Sequence, residues 1–219
     1  VKGMLQRKSR IKGETFKVGD TVKAVVRGVN IDKTNGLLID ISRTSPKFLE
    51  CLLALEVPEL KDEKVHIEAS ARITGSRAKI ALTSIDPQID PIGSVVGVKG
   101  VRISAVSFQL SGENIDCVEY SSIPEMFISR ALSPAIISSV KIDQAPTFNE
   151  KGKATVTIPS DQKSKAIGKA GLNIRLASML TKYEIELVEI EGSTPTDEGN
   201  NKRSEDRSTD TSTLEALFK

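Results

Sequence analysis

Apolar residues recur along this chain at two spacings, every second position and every third or fourth, and the switches between them cut it into short segments. After the turn Lys17-Val18-Gly19-Asp20, alternation through Val22, Ala24 and Val26 predicts a strand over 21–29, and alternation through Leu37, Ile39 and Ile41 predicts another over 36–42. Ser45-Pro46 then offers an N-cap and a first-turn proline to a helix carrying Phe48, Leu49, Leu52, Leu53 and Leu55, which ends before Pro58. Residues 64–72 alternate through Val65, Ile67, Ala69 and Ala71, residues 77–83 alternate through Ala78, Ile80 and Leu82, and a turn at Gly75 joins them as a hairpin. A short helix from near Asp90, a helix over 101–110 with Ile103, Val106 and Leu110 on one face, and a strand over 114–120 complete the order α-β-β-α-α-β.

The same order returns at once. A helix over 124–132 is followed by strands over 139–143 and 153–159, the latter with Val156 and Ile158 on one face. Ser160 is placed to cap a helix leading to Gly168, and a helix over 172–181 and a strand over 183–191 close the second copy. Residues align as well as elements: Val96-Gly97 matches Ile167-Gly168 and Ile103 matches Ile174. After one residue of slippage Leu110 matches Leu180, and 115–119 (IDCVE) matches 185–189 (IELVE). This is an internal repeat of about 70 residues. So short a join between the copies predicts that they pack as one rigid unit.

At the same place in each copy, between two helices, stands G-x-x-G: Gly97-Val98-Lys99-Gly100 and Gly168-Lys169-Ala170-Gly171. With 15 glycines in 219 residues, about one such pattern arises by chance, so a single copy is weak evidence and serves equally as a plain helix–helix turn. Duplication in matching surroundings changes the balance. Two glycines framing a tight turn let a phosphate–sugar backbone approach the main chain, and the amides there lie at the positive ends of the following helices. Lys99, Arg102, Lys169 and Arg175 add full charges, and Val98, Ala170, Lys165 and Asn173 complete the candidate surface. An apolar groove between the second helix and the adjacent strand would receive bases, which suits about four single-stranded nucleotides per copy.

Composition narrows the chemistry. A hydrophobic content of 38% suits several small modules better than one large core. The net charge of +2 hides a segregation, since residues 1–44 carry ten Lys/Arg against four Asp/Glu and residues 163–182 carry five against none. No Trp and only two Tyr argue against recognition by an aromatic stacking platform. Cys51 and Cys117 fall at apolar-periodic positions with no C-x-x-C, so both are expected as core thiols without a disulfide. His66 is the only histidine, which leaves a metal site or a histidine triad without its parts. No apolar run approaches the roughly 18 residues of a membrane span and no signal peptide opens the chain, so a cytoplasmic location and no membrane partner are expected. From Gly192 the sequence turns polar until Leu214, Leu217 and Phe218, so 192–219 is expected to be a disordered tail with a short apolar end.

Residues 38–49 (LIDISRTSPKFL), Gly75-Ser76-Arg77, 86–91 (DPQIDP), 131–135 (ALSPA) and 167–177 (IGKAGLNIRLA) resemble the signatures of the bacterial NusA family of transcription elongation factors, and the resemblance covers roughly residues 1–190. It implies an α+β chain: a partial S1 (OB-type) β-barrel over 1–44, then two tandem type II KH domains over 45–121 and 122–191. It further implies binding to single-stranded nascent RNA, contact with RNA polymerase and with other elongation or antitermination factors, and effects on pausing, termination and antitermination, with no cofactor. Two departures accompany it. Ala170 stands where the family places a basic residue in the second loop, and the first segment supplies only part of an S1 barrel. The family's polymerase-binding domain ahead of S1, and the acidic C-terminal repeats of some members, are not expected within these 219 residues.

Other classes have thinner support. Ser160-Asp161-Gln162-Lys163 spells the S-x-x-K of penicillin-recognising enzymes, but the companion motifs are missing and Ser160 has a capping role available. Asp86 and Asp90, the nearest carboxylate pair to a nuclease site, flank prolines in a turn, where backbone chemistry accounts for them. The reading is therefore a non-enzymatic RNA-binding protein. A ribosome-associated or RNA-maturation KH protein is the alternative, and a scaffold using the folds only as architecture is a third class.

Overall fold

The computed structural model describes residues 1–32 and 36–190; the expectation of a disordered tail over 192–219 lies outside them. The chain opens with β1 (Lys2–Met4), β2 (Val25–Asp32) and β3 (Gly36–Ser42) in the order β1-β3-β2, with β1 parallel and β2 antiparallel to β3. Two expectations change here. The strand foreseen over 21–29 starts only at Val25, because the Lys23 carbonyl accepts a hydrogen bond of 2.5 Å from the Arg43 guanidinium instead of joining the ladder. The series Val22, Ala24, Val26 also does not form one buried face: Val25 packs against an apolar core, whereas Val26 is 62% exposed. β1 itself, a Lys-Gly-Met tripeptide, has no periodicity to announce it.

Next come α1 (Pro46–Glu56), a single turn α2 (Pro58–Lys61), β4 (Val65–Ile73), β5 (Arg77–Ser84), α3 (Pro91–Val96), α4 (Val101–Gln109) and β6 (Asn114–Glu119). Ser45 caps α1 by accepting from the Lys47 amide, and Asp90 caps α3 by accepting from the Ile92 amide. Four of the five apolar residues expected inside α1 are buried, whereas Leu55 lies on the far face, 70% exposed. The second copy follows as α5 (Pro124–Ala131), β7 (Ser139–Gln144), β8 (Gly152–Pro159), α6 (Lys163–Ile167), α7 (Leu172–Thr181) and β9 (Tyr183–Ile190). Each copy has a three-stranded sheet whose central strand is antiparallel to the strand before it and parallel to the one after, β4-β5-β6 and β7-β8-β9. The fold is α+β: two copies of one α-β-β-α-α-β unit follow a small three-stranded sheet. Ser160 is not the expected cap: a 3-10 turn, Ser160–Gln162, precedes α6, and the Ser160 hydroxyl donates to the Ile190 carbonyl at 3.2 Å.

Among the described residues two apolar cores form, and the second belongs to both copies. On one face of the first sheet, Val65, Ala78, Ile80 and Leu82 bury against Phe48, Leu49, Leu52, Val106 and Leu110 of their own helices. On the other face, Ala71, Ala81 and Val118 bury against Phe127, Ile128, Leu176 and Leu180 of the second copy. A β-bulge makes this possible. The residues Val65, Ile67, Ala69 and Ala71 read as one face in sequence, but a register shift between Ile67 and Ala69 flips the phase, sending the first pair inward and the second pair toward the neighbouring copy. Helix α7 consequently packs against β4 and β5 as well as its own β9. Cys51 and Cys117 are free and half-buried, and burial pushes the Cys117 thiol up to about 12.

Candidate nucleic-acid interface

The two glycine loops adopt one backbone shape. Gly97 and Gly168 have φ/ψ of 74/169 and 72/176, a region that glycine alone occupies readily. The third position of each is left-handed although it carries a side chain, Lys99 at 53/24 and Ala170 at 52/30, and the closing Gly100 and Gly171 are left-handed too. Each loop is closed by the amides of its two glycines, Gly97 to Gly93 and Gly100 to Gly97, Gly168 to Ser164 and Gly171 to Gly168. The amides of the two apex residues take no part in those bonds.

The residue five positions after the first glycine closes each loop from the side. A Cβ built on Gly97 would lie 2.8 Å from Arg102 Cγ, and one built on Gly168 would lie 2.8 Å from Asn173 Cβ. Both side chains donate back to the helix before the loop, at the same offset. Arg102 Nη1 donates to the Ser94 carbonyl at 2.6 Å and pairs with Glu59 at 2.9 Å. Asn173 Nδ2 donates to the carbonyls of Lys165 at 3.2 Å, Ala166 at 3.1 Å and Leu132 at 3.0 Å. Of the candidate residues, then, Arg102 is half-buried in an ion pair and Asn173 is buried, while Val98, Lys99, Lys169, Ala170, Lys165 and Arg175 stand exposed. Lys165 Nζ also donates to Gln162 Oε1 at 3.3 Å.

A cleft of about 1030 Å³ opens beside the first loop, lined by Ile89, Gly93, Val98 and Val101 with the Glu59–Arg102 pair at its wall. It lies between α2 and the α3–α4 hairpin. Sequence periodicity gave no hint of Glu59, although the repeat alignment already set Arg102 opposite Asn173. Lys163 pairs with Glu189, Asp86 accepts from the Gln88 amide at 2.9 Å, and no group of three or more His/Cys/Asp/Glu is placed to hold a metal ion among the described residues. No helix among those residues is long and apolar enough to cross a membrane.

Residues 43–120 match the NusA-like first KH domain and residues 124–195 the NusA-like second KH domain. The chain belongs to the NusA family. It is 47% identical to the transcription termination/antitermination protein NusA of Helicobacter pylori (strain J99 / ATCC 700824), over 99% of this chain and 59% of that protein. It is 43% identical to the NusA of Thermus thermophilus over 85% of this chain and 47% of the relative, and 40% identical to that of Bacillus subtilis (strain 168) over 85% and 49%. The chain therefore spans about three fifths or less of these NusA proteins.

Proposed function

We propose that this chain is the RNA-binding portion of a NusA-type transcription factor, and that its two glycine loops each hold the backbone of one stretch of single-stranded RNA. The observation that carries this reading is the identity of backbone shape at the two loops, including a left-handed residue that is not glycine in each. Such a conformation is unfavourable by roughly 1–2 kcal/mol without a compensating role. Phosphates would meet the apex amides of Val98, Lys99, Lys169 and Ala170 near the N-termini of α4 and α7, with Lys99, Lys165, Lys169 and Arg175 supplying charge. Arg102, Asn173 and the four glycines give the loops their shape.

By this reading residues 1–44 are part of an S1 domain, 45–121 and 122–191 are the two KH domains, and 192–219 is a tail. Nascent RNA and RNA polymerase are the partners, pausing, termination and antitermination are the processes affected, the location is cytoplasmic and no catalysis is involved. The names of the relatives and the two domain matches support it. The test is fluorescence anisotropy with a short unstructured RNA. V98D/K99D and K169D/A170D should each weaken binding, and the combination should abolish it in a folded protein. A folded quadruple variant that binds as the parent does would reject the proposal.

A further inference from the structure

Lys79 is fully buried, on the face of β5 that meets the second KH domain. Its ammonium donates to the Ala131 carbonyl at 2.6 Å, the Ser133 carbonyl at 3.1 Å and Asn173 Oδ1 at 2.7 Å, all three in the second domain. The first domain offers it only Asp116, at 4.0 Å. A buried ammonium is strongly unfavourable unless its protons are met, so these three acceptors fix where the second domain sits. They also fix which way one amide faces. With Oδ1 held by the lysine, Asn173 Nδ2 must turn to the carbonyls of Leu132, Lys165 and Ala166; the flipped amide would set NH against ammonium and oxygen against oxygen.

The two loops therefore differ in what supports them. Around the first, Arg102 reaches the Ser94 carbonyl with its counter-charge, Glu59, drawn from its own domain. Around the second, the equivalent side chain is oriented from the neighbouring domain. We propose that Lys79 is a positioning residue for the second glycine loop, through which the first KH domain holds Asn173 and thereby the Gly168–Gly171 turn in its RNA-binding shape. This rests on the RNA-binding reading above, but its structural half can be judged separately.

The experiment places K79M in the whole chain, with V98D/K99D so that only the second loop can bind, or with K169D/A170D so that only the first can. Methionine keeps volume and removes charge and donors. Loss of one buried hydrogen bond corresponds to about fivefold in affinity, so K79M is expected to weaken RNA binding by about fivefold or more with the second loop alone. With the first loop alone the expected change is under about twofold. N173A should cause a similar loss that K79M does not deepen, because one acts through the other. Hydrogen exchange should rise in peptides covering 163–173 and stay unchanged in 94–102. Equal losses in both backgrounds, or none in either with exchange at 163–173 unchanged, would overturn the proposal. A parent chain that binds no RNA would reject the RNA reading, while the exchange comparison still decides whether Lys79 holds the loop. If K79M does not fold, K79Q, which keeps a donor without the charge, carries the same comparison.

Discussion

The two glycines of the second loop should respond very differently to one added methyl group. Gly168, at φ 72 and ψ 176, lies where a side chain is unfavourable by roughly 1–3 kcal/mol from the backbone alone. A Cβ there would also stand 2.8 Å from Asn173 Cβ and 3.1 Å from its amide nitrogen. Asn173 has little room to retreat, since its amide is held by three carbonyls and Lys79. Overpacking of this kind adds roughly 1–3 kcal/mol. G168A should therefore destabilise by about 4 kcal/mol in all. Gly171, at φ 71 and ψ 14, has open space where its Cβ would go, so G171A meets only the left-handed penalty of about 1 kcal/mol. For a chain of this size the two changes should lower Tm by roughly 10 °C and 3 °C respectively. Equilibrium urea unfolding monitored by far-ultraviolet circular dichroism measures the difference directly. Two variants within about 0.5 kcal/mol of one another, a margin close to the usual error, would show that the side chain at Asn173 does not press on the turn.

The converse substitution, A170G, relieves a left-handed alanine at φ 52 and should stabilise by about 0.5 kcal/mol after the added freedom of the unfolded chain is counted; a lowered Tm would contradict the loop geometry. Arg72 and Glu113 form a fully buried pair at 2.7 Å, and Glu113 also accepts from the Gly75 amide, so R72M should destabilise by about 3–5 kcal/mol by leaving a lone buried carboxylate. A cost under about 1 kcal/mol in thermal unfolding would place that pair in water. Burial brings Lys79 down to about 8 from 10.5, against the pull of Asp116 and with the help of Arg77. Between those values the unfolded chain holds the proton that the folded one has released. The stability of the parent relative to K79M should therefore rise with pH across that window, by up to about 3 kcal/mol. A flat or falling difference between pH 8 and 10.5 would refute this sign.

Much of this architecture is written in local signals. Ser45-Pro46 and Asp90-Pro91 mark helix starts because a capping oxygen and a fixed φ act within one turn, and Gly75 marks its hairpin for the same reason. Both glycine loops were equally legible, since the repeat set them in register. What escaped were features decided at a distance. The bulge after Ile67 divides one alternating run between two cores, and nothing within 64–72 signals it, because the selecting surface is α7 of the other domain. Arg102 and Asn173 look like loop cations or amides free for RNA, yet their bonds to Ser94 and Lys165 make them part of the loop's own support. Leu55 fits the apolar spacing of α1 as well as Leu52 does, and only the placement of the sheet distinguishes them. Lys79 gave no sign at all, because a lysine between alanine and isoleucine in a strand reads as a solvent-facing position.

If the apex amides of the two like-shaped turns lie against RNA, backbone amide shifts of the folded chain, followed by NMR during titration with a short unstructured RNA, will report it. The largest changes are expected at Val98, Lys99, Lys169 and Ala170, saturating together. Shifts confined to the sheet of β1, β2 and β3, or to the outer face of β7, β8 and β9, would contradict it.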